Sequence, residues 1–264
     1  MTMRTVLLGL LMIWGSWETH VEAGDIVHPQ RYAYELVAQY PHDERAFTQG
    51  LVYSEGKIYE GTGHYGRSEL REVDLKTGGV VRLRKLPNEC FGEGIAMYDG
   101  KLIQLTWQEQ VAFVFRPSDF QHLATNRYTG EGWGITVMGD EYIVSDGTST
   151  LRFYDAKTFR LLRRVKVRQS GRELSQLNEL EYIDGMVYAN VWHSDYIAMI
   201  DPKTGDVTGV IDLTNLNPTR GPLQFDREKC LNGIAYNETA GTLYVTGKNW
   251  PKLFEIRLNK QGGK

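Results

Sequence analysis

Two cysteines, Cys90 and Cys230, are all that the 264 residues contain. That is too few for a disulfide framework to stand in for a hydrophobic core, and the sequence leaves open whether the two pair. After the N-terminal two dozen residues no run is long and apolar enough to cross a bilayer as a helix, and no cysteine follows the leading apolar run to carry a lipid. Excess charge is also missing. The formal net charge of −3 gives no electrostatic case for a nucleic-acid partner. The six histidines (His20, His28, His42, His64, His122 and His193) fall in no H-E-x-x-H pattern, and no Cys-x-x-Cys occurs, so no metal is expected. The G-x-S-x-G elbow of serine hydrolases is absent. No long window shows a helical period.

What is present begins with "MTMRTVLLGLLMIWGSWETHVEA": a short segment with Arg4, an apolar run from Val6 to Trp14, and a V-x-A ending. Residues 1–23 read as a signal peptide. The expectation is an exported protein, periplasmic or secreted, with no membrane contact after cleavage and residues 24–264 forming a single domain.

Short alternating strands punctuated by Gly, Asp and Asn turns fill the rest. The segments "FTQGLVYSEGKIY", "FGEGIAMYDGKLI", "GWGITVMGDEYIV", "LNELEYIDGMVYA" and "LNGIAYNETAGTLYV" align on Leu51, Ile95, Ile135, Leu180 and Ile234, at spacings of 44, 40, 45 and 54. In each unit a second strand follows. In the first four a third then ends in an acidic turn, with Asp74, Asp119, Asp155 and Asp201 bonding their own backbone. Four strands in some 40 residues, repeated five times, predict an all-β, five-bladed β-propeller. The fifth unit ends before a fourth strand, so residues 31 to 40 are expected to supply it and close the ring. The basic run "RRVKVR" reads as the solvated face of an edge strand. "GTGHYG" precedes an alternating strand and not a helix, so it reads as a hairpin turn and not as a nucleotide loop.

The residue before each Gly-[Leu/Ile] pair, or before its equivalent Glu179, is Gln49, Glu93, Trp133, Asn178 or Asn232. A first strand lining a central channel would converge these side chains at one mouth. Twelve residues after the aligned aliphatic stand Trp107, Gly147, Trp192 and, allowing two inserted residues, Lys248. Polar groups within apolar walls make the default ligand site. Set against this, a Trp in a β-protein is more often core, Glu93 could be a structural partner of Lys248, and Asn178 or Asn232 could simply satisfy turn backbone.

At "PHDERAFTQGL", "FGEGIA", "LTW", "GWGIT", "LNELEY", "NVWHSD", "LNGIAY" and "VTGKNWPKLFEI" the sequence resembles the plant-type glutaminyl-peptide cyclotransferases, five-bladed propellers also found in bacteria. The resemblance covers nearly the whole chain after residue 23. It implies conversion of the N-terminal Gln of a peptide or protein to pyroglutamate with release of ammonia, by a monomer needing no cofactor. It implies pocket aromatics at Phe47, Phe91, Trp107, Trp133 and Trp192, with polar site residues Gln49, Glu93, Asn178 and Lys248. On that reading Glu93 is the acid and base, Lys248 and Asn178 steady the developing oxyanion, and Gln49 contacts the substrate amide. Two other classes stay open on the residues alone: a non-catalytic binder using the Trp cluster, and a metal-dependent lactonase-like propeller using Glu93, Asn178 and Asn232.

Overall fold

The computed structural model describes residues 26–218 and 226–260; the expected signal peptide lies outside them. Among the described residues the protein is all-β, with one 3-10 turn at Thr214–Leu216. Strand β1 (Gln30–Pro41) precedes five units. The first holds β2 (Thr48–Ser54), β3 (Lys57–Thr62), β4 (Glu69–Val73) and β5 (Val80–Lys85), and the second β6 (Gly92–Tyr98), β7 (Lys101–Thr106), β8 (Val111–Phe115) and β9 (His122–Arg127). The third holds β10 (Ile135–Met138), β11 (Glu141–Val144), β12 (Thr150–Asp155) and β13 (Leu161–Lys166). After a small hairpin of β14 (Arg168–Gln169) and β15 (Arg172–Glu173) comes the fourth: β16 (Leu177–Ile183), β17 (Met186–Val191), β18 (Tyr196–Ile200) and β19 (Val207–Asp212). The fifth has β20 (Leu231–Asn237), β21 (Thr242–Gly247) and β22 (Lys252–Lys260).

Each unit is an antiparallel meander, and three of the five form separate four-stranded sheets. The expected N-terminal strand is in place: β1 runs antiparallel to β22, from Tyr32 opposite Lys260 to Pro41 opposite Lys252. Its first residues also pair in parallel with β19, which merges units four and five into one sheet. The acidic turns form as read, with Asp74, Asp119, Asp155 and Asp201 each accepting from a backbone N–H two or three residues on. "GTGHYG" runs from the last two residues of β3 into the link to β4, and the basic run lies largely on the outer strand β13.

Amphipathic alternation gives each sheet two packing faces, and the core lies between units. Val52, Tyr59 and Leu70 pack on Ile95, Leu102 and Phe115; similar clusters join units two to three, three to four and four to five. Leu51 and Ile58 meet Ala235, Tyr244 and Leu253, so the last unit packs against the first. The five aligned aliphatics are at most 1% exposed. Their strands adjoin in the cyclic order β2, β6, β10, β16, β20 and back to β2.

Candidate active site

A charge can sit inside the buried strand β6 because the strand breaks register there. Pairing slips between Gly92 and Ile95, and likewise between Thr48 and Gly50, Leu177 and Leu180, and Leu231 and Ile234. Such a bulge leaves a residue unpaired and re-aims its side chain. Glu93, Gln49, Asn178 and Asn232 occupy these slips. The following glycine lets neighbouring inner strands touch: a Cβ on Gly94 would stand 2.7 Å from the Trp133 carbonyl, to which Gly94 N–H donates at 2.7 Å. In unit four Glu179 replaces that glycine, and its carboxylate accepts from the N–H groups of Leu51 (3.2 Å) and Ile234 (2.8 Å).

The ends of the second strands supply the rest. Trp107, Trp192 and Lys248 directly follow β7, β17 and β21. Gly147, the equivalent in unit three, has φ +77°, and a Cβ there would lie 2.7 Å from the Trp133 ring, so its lack of side chain makes room for that indole. The result is a cavity of about 500 Å³ lined by Phe47, Gln49, Phe91, Glu93, Trp107, Trp133, Asn178, Trp192 and Lys248 together with His64, Asp226, Glu228 and Asn249.

Glu93 is 3% exposed. Gln49 Nε2 donates to its Oε1 at 3.0 Å, and Asn232 Nδ2 donates to Gln49 Oε1 at 3.3 Å and to the Thr48 carbonyl at 2.8 Å. Asn232 therefore steadies Gln49, and Gln49 steadies Glu93. Burial pushes the Glu93 carboxyl well above the usual range; Lys248 pulls it down, and Glu131 and Glu109 add to the rise. Lys248 is 3% exposed and its Nζ lies over the rings of Phe47 (4.7 Å) and Trp192 (5.6 Å), a cation–π seat. Burial lowers its pKa, against the pull of Cys230, Glu93 and Glu228. Among the described residues Glu93 and Lys248 form no direct ion pair. Asn178 is 2% exposed, and among the described residues its buried Oδ1 has no partner. An orphaned buried acceptor costs about 1–3 kcal/mol, and the amide lines the cavity.

A sequence model of the family described as glutamine cyclotransferase matches residues 8–258. The chain belongs to the glutamine cyclotransferase family. A glutaminyl-peptide cyclotransferase of Arabidopsis thaliana is 43% identical over 237 residues, spanning 87% of this chain and 72% of that relative. The crystal structure of Myxococcus xanthus glutaminyl cyclase superposes with a TM-score of 0.83 at 40% identity, covering 88% of this chain and 99% of that one. The resemblance carried by the quoted motifs is thereby borne out.

Within this family member all nine site residues read from the sequence line one cavity. His64 escaped the reading. It sits in the "GTGHYG" turn at φ +94°, with its ring 4.3 Å from that of Phe47, and burial lowers its pKa, as do Arg67 and Lys248. Asp226 and Glu228 come from the insertion before β20, where no repeat register could locate them. Glu131, which accepts from two of the indoles, was also missed; its place two residues before Trp133 was the only available signal. Cys90 and Cys230 are both buried and free. Burial raises both thiols, Cys90 to about 11, which disfavours the nucleophilic thiolate. Among the described residues no three His, Cys, Asp or Glu side chains converge as metal ligands would.

Proposed function

We propose that this protein is a glutaminyl-peptide cyclotransferase on a five-bladed β-propeller, its blades being the five units and the site lying at one mouth of the central channel. Residues 1–23 act as a signal peptide, and 24–264 work as an exported, periplasmic or secreted monomer. The observation that carries the reading is Glu93: a buried carboxyl of raised pKa, with one oxygen held by Gln49, on the wall of an aromatic cavity. A site that only stacked its ligand would have no use for such a group.

The substrate joins its own α-amine to its own side-chain amide, so both partners arrive tethered and the cavity need only fold the residue back. The α-amine titrates near pH 8, leaving a neutral fraction to attack. A C–N bond forms at the amide carbon while one amine proton passes to Glu93, whose raised pKa makes it a stronger base than an exposed carboxylate. Glu93 then returns that proton to the departing nitrogen, the C–N bond to it breaks, and ammonia leaves. Negative charge gathers meanwhile on the carbonyl oxygen. Lys248 and Asn178, both on the cavity wall, would stabilise it. Gln49 has its Nε2 on Glu93; its second amide hydrogen remains for substrate.

The test is ammonia release from a Gln-initiated dipeptide. Turnover is expected in the parent and is expected to survive exhaustive EDTA treatment; loss on chelation would point to a metal hydrolase, and no release at all to a binder.

Trp192→Ala should raise KM while leaving thermal stability nearly unchanged. The ring is only half-buried, lies edge-on to Trp133 at 5.4 Å and lines the cavity, so truncation opens no sealed cavity. A large fall in melting temperature with parental kinetics would assign Trp192 to the core instead.

A further inference from the structure

Residues 128 to 131, between β9 and the aligned segment of unit three, stand outside the repeat register, yet they carry a carboxylate on which the aromatic walls hang. Glu131 Oε2 accepts the indole N–H of Trp107 at 2.7 Å and that of Trp133 at 2.9 Å. Its Oε1 accepts from Gln108 Nε2 at 3.1 Å. The two indoles come from different units, and each touches a further ring: Trp107 lies 5.6 Å from Phe91, Trp133 5.4 Å from Trp192. One oxygen thus ties two pairs of rings into a continuous wall. The segment is itself held, since Arg152 donates to the carbonyls of Thr129 and Glu131 and lies 3.6 Å from Asp146. Burial pushes the Glu131 carboxyl up, but the donors Trp133, Trp107 and Gln108 bring it below its usual range, so it is ionised at neutral pH and a strong acceptor.

We infer that Glu131 is a positioning residue of the cyclisation, fixing the Trp107 and Trp133 indoles in the orientation that walls the Glu93 cavity. Resting on the cyclotransferase reading above, the role is indirect: Glu131 acts through the two rings and not on the reacting atoms. An indole has two side-chain torsions, and a ring free to turn would let the folded-back glutamine depart from attack geometry, where small displacements are costly.

Two variants separate orientation from charge. Glu131→Ala removes the acceptors, whereas Glu131→Gln keeps one carbonyl oxygen for the two indoles and loses the charge and the acceptor that Gln108 uses. With the parent releasing ammonia from a Gln-initiated dipeptide, Glu131→Ala should lower kcat/KM by roughly 10- to 100-fold, with an altered near-ultraviolet circular dichroism of the tryptophans. Glu131→Gln should recover most of both. Should the Ala variant not fold, Glu131→Leu, which has bulk but no acceptor, takes its place. An active parent with an acceptor-free variant of parental kcat/KM, or a Gln variant no better than it, overturns the role alone. A parent that releases no ammonia overturns the cyclotransferase reading, and the role with it.

Discussion

Glu93→Gln is expected to fold and to lose about two to four orders of magnitude in turnover, equivalent to about 3–5 kcal/mol of barrier. The substitution is nearly isosteric, and its carbonyl oxygen can still accept from Gln49, so only the exchangeable proton is taken away. The parent's kcat/KM should climb with pH along an acid limb lying well above the usual carboxylate range, because Glu93 must be ionised to accept the amine proton and burial has raised its pKa. It should fall again below the usual lysine range, since burial depresses Lys248. Stability moves the other way. A carboxyl whose folded pKa is raised contributes stability that is complete below its unfolded pKa and is lost as pH rises through the folded value. At neutral pH the parent therefore carries a cost that the Gln variant lacks, and the variant should melt no lower than the parent. Near-parental turnover in this variant would remove Glu93 from the chemistry.

Deleting residues 30–41 should abolish the cooperative thermal transition, or lower its midpoint by more than about 10 °C. Strand β1 covers the edge of β22 along nearly its whole length and reaches β19 on its other side. Tyr32 and Tyr34 pack on the core shared by units four and five, and Tyr40 donates to Glu255 at 2.8 Å. The segment leads directly into buried His42, whose Nε2 lies 3.0 Å from Glu60 and whose Nδ1 lies 2.7 Å from the Trp250 carbonyl. Without it a row of main-chain groups on β22 loses its partners. At about 1 kcal/mol net per hydrogen bond, several lost together rival the whole stability of a domain, about 5–15 kcal/mol. A truncated protein with the parent's melting curve, followed by circular dichroism, would show that this strand is dispensable.

Much of the site was legible because a repeat makes local register a global coordinate. Leu51, Ile95, Ile135, Leu180 and Ile234 mark the same strand position five times over, so the residues before the glycine and after the second strand fall on common positions without any knowledge of tertiary contacts. Strand alternation is a property of neighbouring residues, with a period of two, and short segments display it. The motifs around Glu93, Asn178 and Lys248 added the family, and with it Phe47 and Phe91.

Contacts between units are of a different kind. That Glu93 leans on Gln49 and not on Lys248, that Asn232 serves Gln49 while Asn178 keeps a bare oxygen, and that Cys90 and Cys230 stay apart all depend on how strands far apart in the chain pack and twist. His64, Asp226 and Glu228 reach the cavity, and Glu131 reaches two of its indoles, from irregular segments, whose lengths differ from unit to unit and carry no period to align. The five-fold pattern of strands and the ring of positions near the cavity were already written in the order of residues, because hydrophobic alternation is local. Which of those side chains touch emerged with the folded chain, because hydrogen-bond partners are chosen by distance in space and not along the chain.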